Sequence, residues 1–144
     1  MSLKLQITED MKQAMRDRDS QKLGAIRFLL SEIKNFEIDN GEQDDAGIQN
    51  LISKQIKQMK DAISDFQKGD RADLVEAEEQ KIVVIAKYLP KQLSDEEIQL
   101  IITKVVQDMG ENANMGQVIG AVKSQVGNSA DGGKIASLVK QVLG

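Results

Sequence analysis

The nine residues GNSADGGKI, Gly127 to Ile135, decide between two fold classes. A glycine-rich run followed by lysine opens many phosphate-binding loops, which stand between a buried strand and a helix in α/β proteins. Read as a turn between two helices, the same letters belong to an all-helical chain. A Walker-type loop needs glycine, four residues, then Gly-Lys-Ser/Thr. Gly127 and Gly132 have that separation, but Gly133 stands where the lysine must be. Taking Gly133-Lys134 as the pair puts Asn128 at the first glycine and Ile135 at the hydroxyl. Upstream, Val118, Ile119, Val122 and Val126 recur at helical spacing, so no strand precedes the stretch. The nucleotide loop fails. As a turn, Gly127 supplies a left-handed stop to the helix before it. Asp131 caps the helix after it, whose buried face is Ile135, Leu138, Val139 and Val142.

The helical period extends over almost the whole chain. Leu3, Ile7, Met11 and Ala14/Met15 predict a first amphipathic helix to about Asp17. Leu23, Ile26, Leu30, Ile33 and Phe36 predict a second, closing before Asn40-Gly41 and open to being continuous with the first. A third runs from about Ala46 to Lys68 on Ile48, Ile52, Ile56, Met59, Ile63 and Phe66, with Gly69 as its C′ stop. A fourth spans roughly Ala72 to Tyr88 and ends before the single proline, Pro90. Beyond it, Ser94-Asp95-Glu96-Glu97 reads as a capping box opening a helix to Met109. Two shorter helices, about 115–126 and 132–143, complete the chain. The expected architecture is all-α: a larger N-terminal region of long antiparallel helices, 1–90, and a small three-helix C-terminal domain, 91–144.

The chain contains neither cysteine nor histidine. Disulfides, thiol catalysis, Ser-His-Asp triads and His- or Cys-based zinc sites are therefore excluded, and no metal or cofactor is expected. The net charge of −4 argues against a globally basic nucleic-acid binder. The N-terminal stretch has no long apolar core and nothing later is long enough to span a membrane, so a cytoplasmic protein with no membrane role is expected.

Local features leave a few candidates. Glu76, Glu78 and Glu79, and Asp95 to Glu97, fall near helix starts, where acidic side chains are the dipole-favoured solvated default. Lys54, Lys57 and Lys60 form a drifting basic ridge of the kind solvated helix faces carry. After Asn114, by contrast, Lys123, Lys134 and Lys140 oppose only Asp131. That local surplus suits an RNA backbone, and Lys134 stands beside the free N–H groups of a helix start. Gly116 and Gly120, four apart on a helix, allow close approach either by a neighbouring helix or by RNA backbone. The apolar run from Ile82 to Leu89 suggests instead a face that docks a protein partner.

Three segments carry a family resemblance: DMKQAMRDRDSQKLGAIRFLLSEIKN (10–35), YLPKQLSDEEI (88–98) and MGQVIGAVKSQVGNSADGGKIASLVKQVL (115–143). They resemble the YqeY proteins, small bacterial proteins of the GatB/YqeY superfamily, over nearly the whole chain. The resemblance implies an all-helical fold and a link to the B subunit of glutamine-dependent tRNA amidotransferases, whose similar tail domain contacts tRNA. The pattern G-x-V-[IM]-x-x-[VT]-K, then G-x-x-A-[DN], falls on Gly116 to Lys123 and Gly127 to Asp131. Family labels of carbon–nitrogen ligase activity with glutamine as amido-N-donor would describe an association, because nothing here resembles the catalytic domain or the glutaminase subunit. The expectation is a non-catalytic tRNA-binding or amidotransferase-associated accessory, with Gly116, Gly120, Lys123, Lys134 and Lys140 as the candidate tRNA contacts. The alternative is a helical protein-interaction adaptor with no RNA role.

Overall fold

The computed structural model describes residues 1–144, with seven α-helices, two single turns of 3-10 helix and no strand. The helices are α1 (Leu3–Arg16), α2 (Ser20–Asn40), α3 (Asp45–Lys68), α4 (Ala72–Ala86), α5 (Asp95–Met109), α6 (Met115–Val126) and α7 (Gly132–Leu143). The chain divides into two compact units, Met1–Leu89 and Pro90–Gly144, each with its own apolar core. No helix is long and apolar enough to cross a membrane.

In the first unit α1 packs on α2, and α4 packs on α2 and α3. Ile7, Ile26, Leu29, Ile33, Ile48, Ile52 and Ile85 are fully buried between them. One polar side chain, Gln55, is buried in this stripe, and its Nε2 donates to Glu32 Oε2 at 3.2 Å. Tyr88 closes the unit: its hydroxyl donates to Asp10 Oδ2 at 2.6 Å, and burial together with that bond raises its pKa. The apolar run after Ile82 is largely absorbed here. Ile85 and Tyr88 are buried, Ile82, Val84, Ala86 and Leu89 pack on the core, and only Val83 is well exposed.

Two helices end without a left-handed glycine: α1 stops close to where its apolar period predicts, and α3 departs from expectation in its C′ residue. α1 and α2 are separate although no glycine stands between them. The Asp19 N–H bonds the Ala14 carbonyl and the Arg18 N–H the Met15 carbonyl, a Schellman arrangement that puts Arg18 at φ +54°. α3 ends in the same way, with Arg71 N–H on Phe66 O and Asp70 N–H on Gln67 O. The left-handed residue there is Asp70 (φ +57°), while Gly69 is the preceding cap at φ −87°. Hydrogen bonds to the last carbonyls, rather than the presence of glycine, select the C′ residue. The left-handed conformation costs an L-residue about 1–2 kcal/mol, part of which glycine loses again through its freer unfolded state. Arg18→Gly is expected to stabilise the protein by about 0.5–1 kcal/mol, read as a higher urea midpoint at unchanged slope.

In the second unit, Ile98, Ile102, Val118, Val122, Ile135 and Val139 are fully buried. α5 opens on the capping box: Ser94 Oγ accepts from Glu97 N–H, and Glu97 Oε1 from Ser94 N–H. α6 stops at Gly127, whose φ is positive as a helix stop requires. With φ +54° and ψ −126°, however, it lies outside the left-handed helical well. Gly110 after α5 shares this backbone (φ +66°, ψ −142°). Both helices thus end in an abrupt reversal that leads into a 3-10 turn.

The 127–134 stretch also holds the start of its own unit. The Asn128 carbonyl accepts from Gln92 Nε2 at 2.9 Å, and the Ser129 carbonyl from Leu93 N–H at 2.8 Å. The Lys134 ammonium lies 2.8 Å from the Asp95 carboxylate. Three successive features of the turn therefore clamp residues 92–95, the segment leading into α5.

Candidate nucleic-acid interface

α6 buries Val118, Val122 and Val126, which turns the face carrying Gly116, Gly120 and Lys123 toward solvent. A Cβ built on Gly120 meets nothing within 4 Å, and one on Gly116 meets only Asn114 Oδ1 at 3.6 Å. Neither glycine admits a neighbouring helix within the unit. Within this unit, close helix packing is not what the two glycines serve.

Lys123 lies along the start of α7. A Cβ at Gly132 would stand 3.1 Å from its Cε and 3.2 Å from its Nζ, so Gly132 makes room for that side chain. Lys123 forms no ion pair, unlike Lys134. The hydrogen bond to Asp95 raises the Lys134 pKa, and the charges of Asp95, Asp131 and Glu96 add to the effect. Its ammonium is thus surrounded by carboxylates. Asp131 caps α7 by accepting from Lys134 N–H at 3.2 Å. Lys140 is exposed in the last turn of α7, roughly 12 Å along the axis from Gly132.

The five residues singled out from the sequence therefore do not form one cluster. Gly116, Gly120 and Lys123 share a face. Lys134 is beside the α7 start but engaged with Asp95, and Lys140 is at the far end. The Lys134–Asp95 pair joins residues far apart in sequence, which spacing along a helix cannot reveal.

Several of the acidic groups already have partners. Glu76 accepts from Gln80, Glu78 from Lys81, and Asp95 from Lys134. No three carboxylates converge as metal ligands would. An open recess of about 470 Å³ beside the first residues of α1 and α3 is lined by side chains already committed to structure. Ser2 caps α1, Asp44 caps α3, Asp45 accepts from Leu3 N–H, and Lys4 pairs with Glu37.

Fold and site together define an all-helical protein whose second unit presents a glycine-and-lysine face on one short helix. The family model described as Yqey-like protein matches residues 4–143, and the chain belongs to that family. Its relatives include proteins named "Altered inheritance of mitochondria protein 41, mitochondrial" from three yeasts. That of Lachancea thermotolerans is 36% identical over 121 residues, covering 81% of this chain and 65% of the relative. That of Vanderwaltozyma polyspora is 40% identical over 111 residues, covering 74% and 60%. That of Candida glabrata is 34% identical over 125 residues, covering 81% and 68%. The chain spans less than two thirds of the length of the first two relatives.

These names correct the expectation of a cytoplasmic protein, since the relatives are called mitochondrial and are fungal rather than bacterial. The cytoplasmic expectation rested on the lack of an apolar leader. Mitochondrial leaders are amphipathic and arginine-rich, so that criterion does not detect them.

Proposed function

We propose that this protein is a non-catalytic tRNA-binding accessory, linked to glutamine-dependent tRNA amidotransferase, whose second unit resembles the tail domain of that enzyme's B subunit. The observation that carries the reading is the open α6 face. Two glycines in or near a helix interior, each costing up to about 1 kcal/mol against alanine, have nothing packed over them, and an unpaired lysine follows one turn on. A sugar–phosphate backbone approaching that face gains close contact at the glycines and one charge at Lys123. Lys134 lies outside the interface because Asp95 already neutralises it. The relatives' names support a mitochondrial setting.

A titration with bulk tRNA at several salt concentrations tests this. Lys123→Ala should weaken binding and reduce the salt slope by about 1, the loss of one phosphate contact. Lys134→Ala should leave both unchanged. Gly120→Ala should separate stability from function, raising the former by about 0.5–1 kcal/mol while lowering affinity. Absence of binding at low salt, or equal binding by Lys123→Ala, would overturn the interface. The adaptor reading has less to rest on, because the run it invoked packs into the first unit's own core.

A further inference from the structure

We propose that Asn40 is a self-modification site, converted to isoaspartate and aspartate at a rate governed by a latch on the last turn of α2. In the reaction the Gly41 backbone nitrogen attacks Asn40 Cγ. The new C–N bond forms as the bond from Cγ to Nδ2 breaks, and the side-chain amide leaves as ammonia with the nitrogen's proton. Water then opens the cyclic imide at either carbonyl. Nothing is oxidised or reduced, and water is the only co-reactant.

The local chemistry selects this asparagine. Of the six in the chain, at 35, 40, 50, 112, 114 and 128, only Asn40 precedes glycine, so only its attacking nitrogen has no neighbouring side chain to shield it. Asn40 is exposed and is the last residue of α2, and Gly41 follows at φ +82°. In the folded helix both reacting groups are tied back. The Gly41 N–H donates to the Glu37 carbonyl at 2.8 Å, and Asn40 Nδ2 donates to the Phe36 carbonyl at 3.0 Å. Attack therefore waits for this turn to fray.

Glu37 sets how often that happens. Its Oε1 accepts from Lys4 Nζ at 2.6 Å and its Oε2 from Gln43 N–H at 2.9 Å, holding the turn from α1 on one side and from the following loop on the other. Helix ends open with free energies that start near zero, so a single tie at this position moves the open fraction directly. The product carries a new carboxylate beside Asp39, Glu42, Asp44 and Asp45, at the helix end whose dipole disfavours negative charge. Conversion thus weakens the corner between α2 and α3.

The full chain is to be incubated at neutral pH as wild type, Lys4→Ala and Asn40→Gln, and also as wild type unfolded in urea. Fragment-ion mass mapping then locates each amide-to-acid exchange. Conversion is expected at Asn40 before any other asparagine, fastest in urea. It should be about two- to fivefold faster in Lys4→Ala than in folded wild type, as the loss of one partly exposed ion pair dictates. Asn40→Gln should remain unconverted at that position. Earlier conversion at another asparagine would overturn the site, and equal rates in Lys4→Ala and wild type would overturn the latch.

Discussion

Ile135→Ala is expected to unfold residues 90–144 while leaving residues 1–89 folded. Ile135 is completely buried, in one cluster with Ile98, Ile102, Val118, Val122 and Val139. Truncating such a side chain costs about 2–5 kcal/mol, combining lost transfer energy with a residual cavity. A unit the size of Pro90–Gly144 has a total stability of only about 3–8 kcal/mol. One substitution therefore removes from about a quarter of it to the whole, and about two thirds at the middle of both ranges. The core of the first unit contains none of the same residues. Amide resonances of the second unit should collapse toward unfolded positions while those of Ile26, Leu29 and Ile52 stay dispersed. A single cooperative loss of both sets would show that the two cores melt as one.

Gly127→Ala is expected to cost about 1–3 kcal/mol, entirely through the backbone. Beyond its two chain neighbours no atom lies within 4 Å of the position a Cβ would take, so crowding by the rest of the fold makes no contribution. The cost arises because φ +54° with ψ −126° is a conformation open to glycine alone. Gly127→Asn separates this cause from an ordinary left-handed cap. Asparagine tolerates the left-handed helical well and would restore stability there, but it gains nothing at ψ −126°. Both variants should therefore fall to similar urea midpoints. Recovery by asparagine would place Gly127 in the left-handed well instead.

What the amino-acid sequence made legible follows the reach of each interaction. The capping box of Ser94 and Glu97, the cap at Asp131 and the positive φ of Gly127 act over three or four residues, and their letters announce them. The Schellman turns at Arg18 and Asp70 are equally local, but neither residue is one that composition marks as left-handed. Gln55 sits in an apolar stripe with no sign of the Glu32 carboxylate that satisfies it from another helix. The bond from Tyr88 to Asp10 spans 78 positions and depends on α1 and α4 closing on the same core. For the candidate interface, the lysines were visible in the sequence but their partners were not. Lys123 and Lys134 look alike along the chain, and only the fold sets one against glycine and the other against Asp95.

The clamp between residues 92–95 and 128–134 has a consequence for the order of events on the ribosome. Gln92 and Leu93 are synthesised 36 residues before the carbonyls that hold them. At about 5–20 residues per second, α5 emerges roughly 2–7 s before its anchor exists. Its capping box needs only Ser94 and Glu97, so the start of the helix can order itself during that interval. The apolar face of Ile98, Ile102 and Val105 must wait uncovered until α6 and α7 arrive.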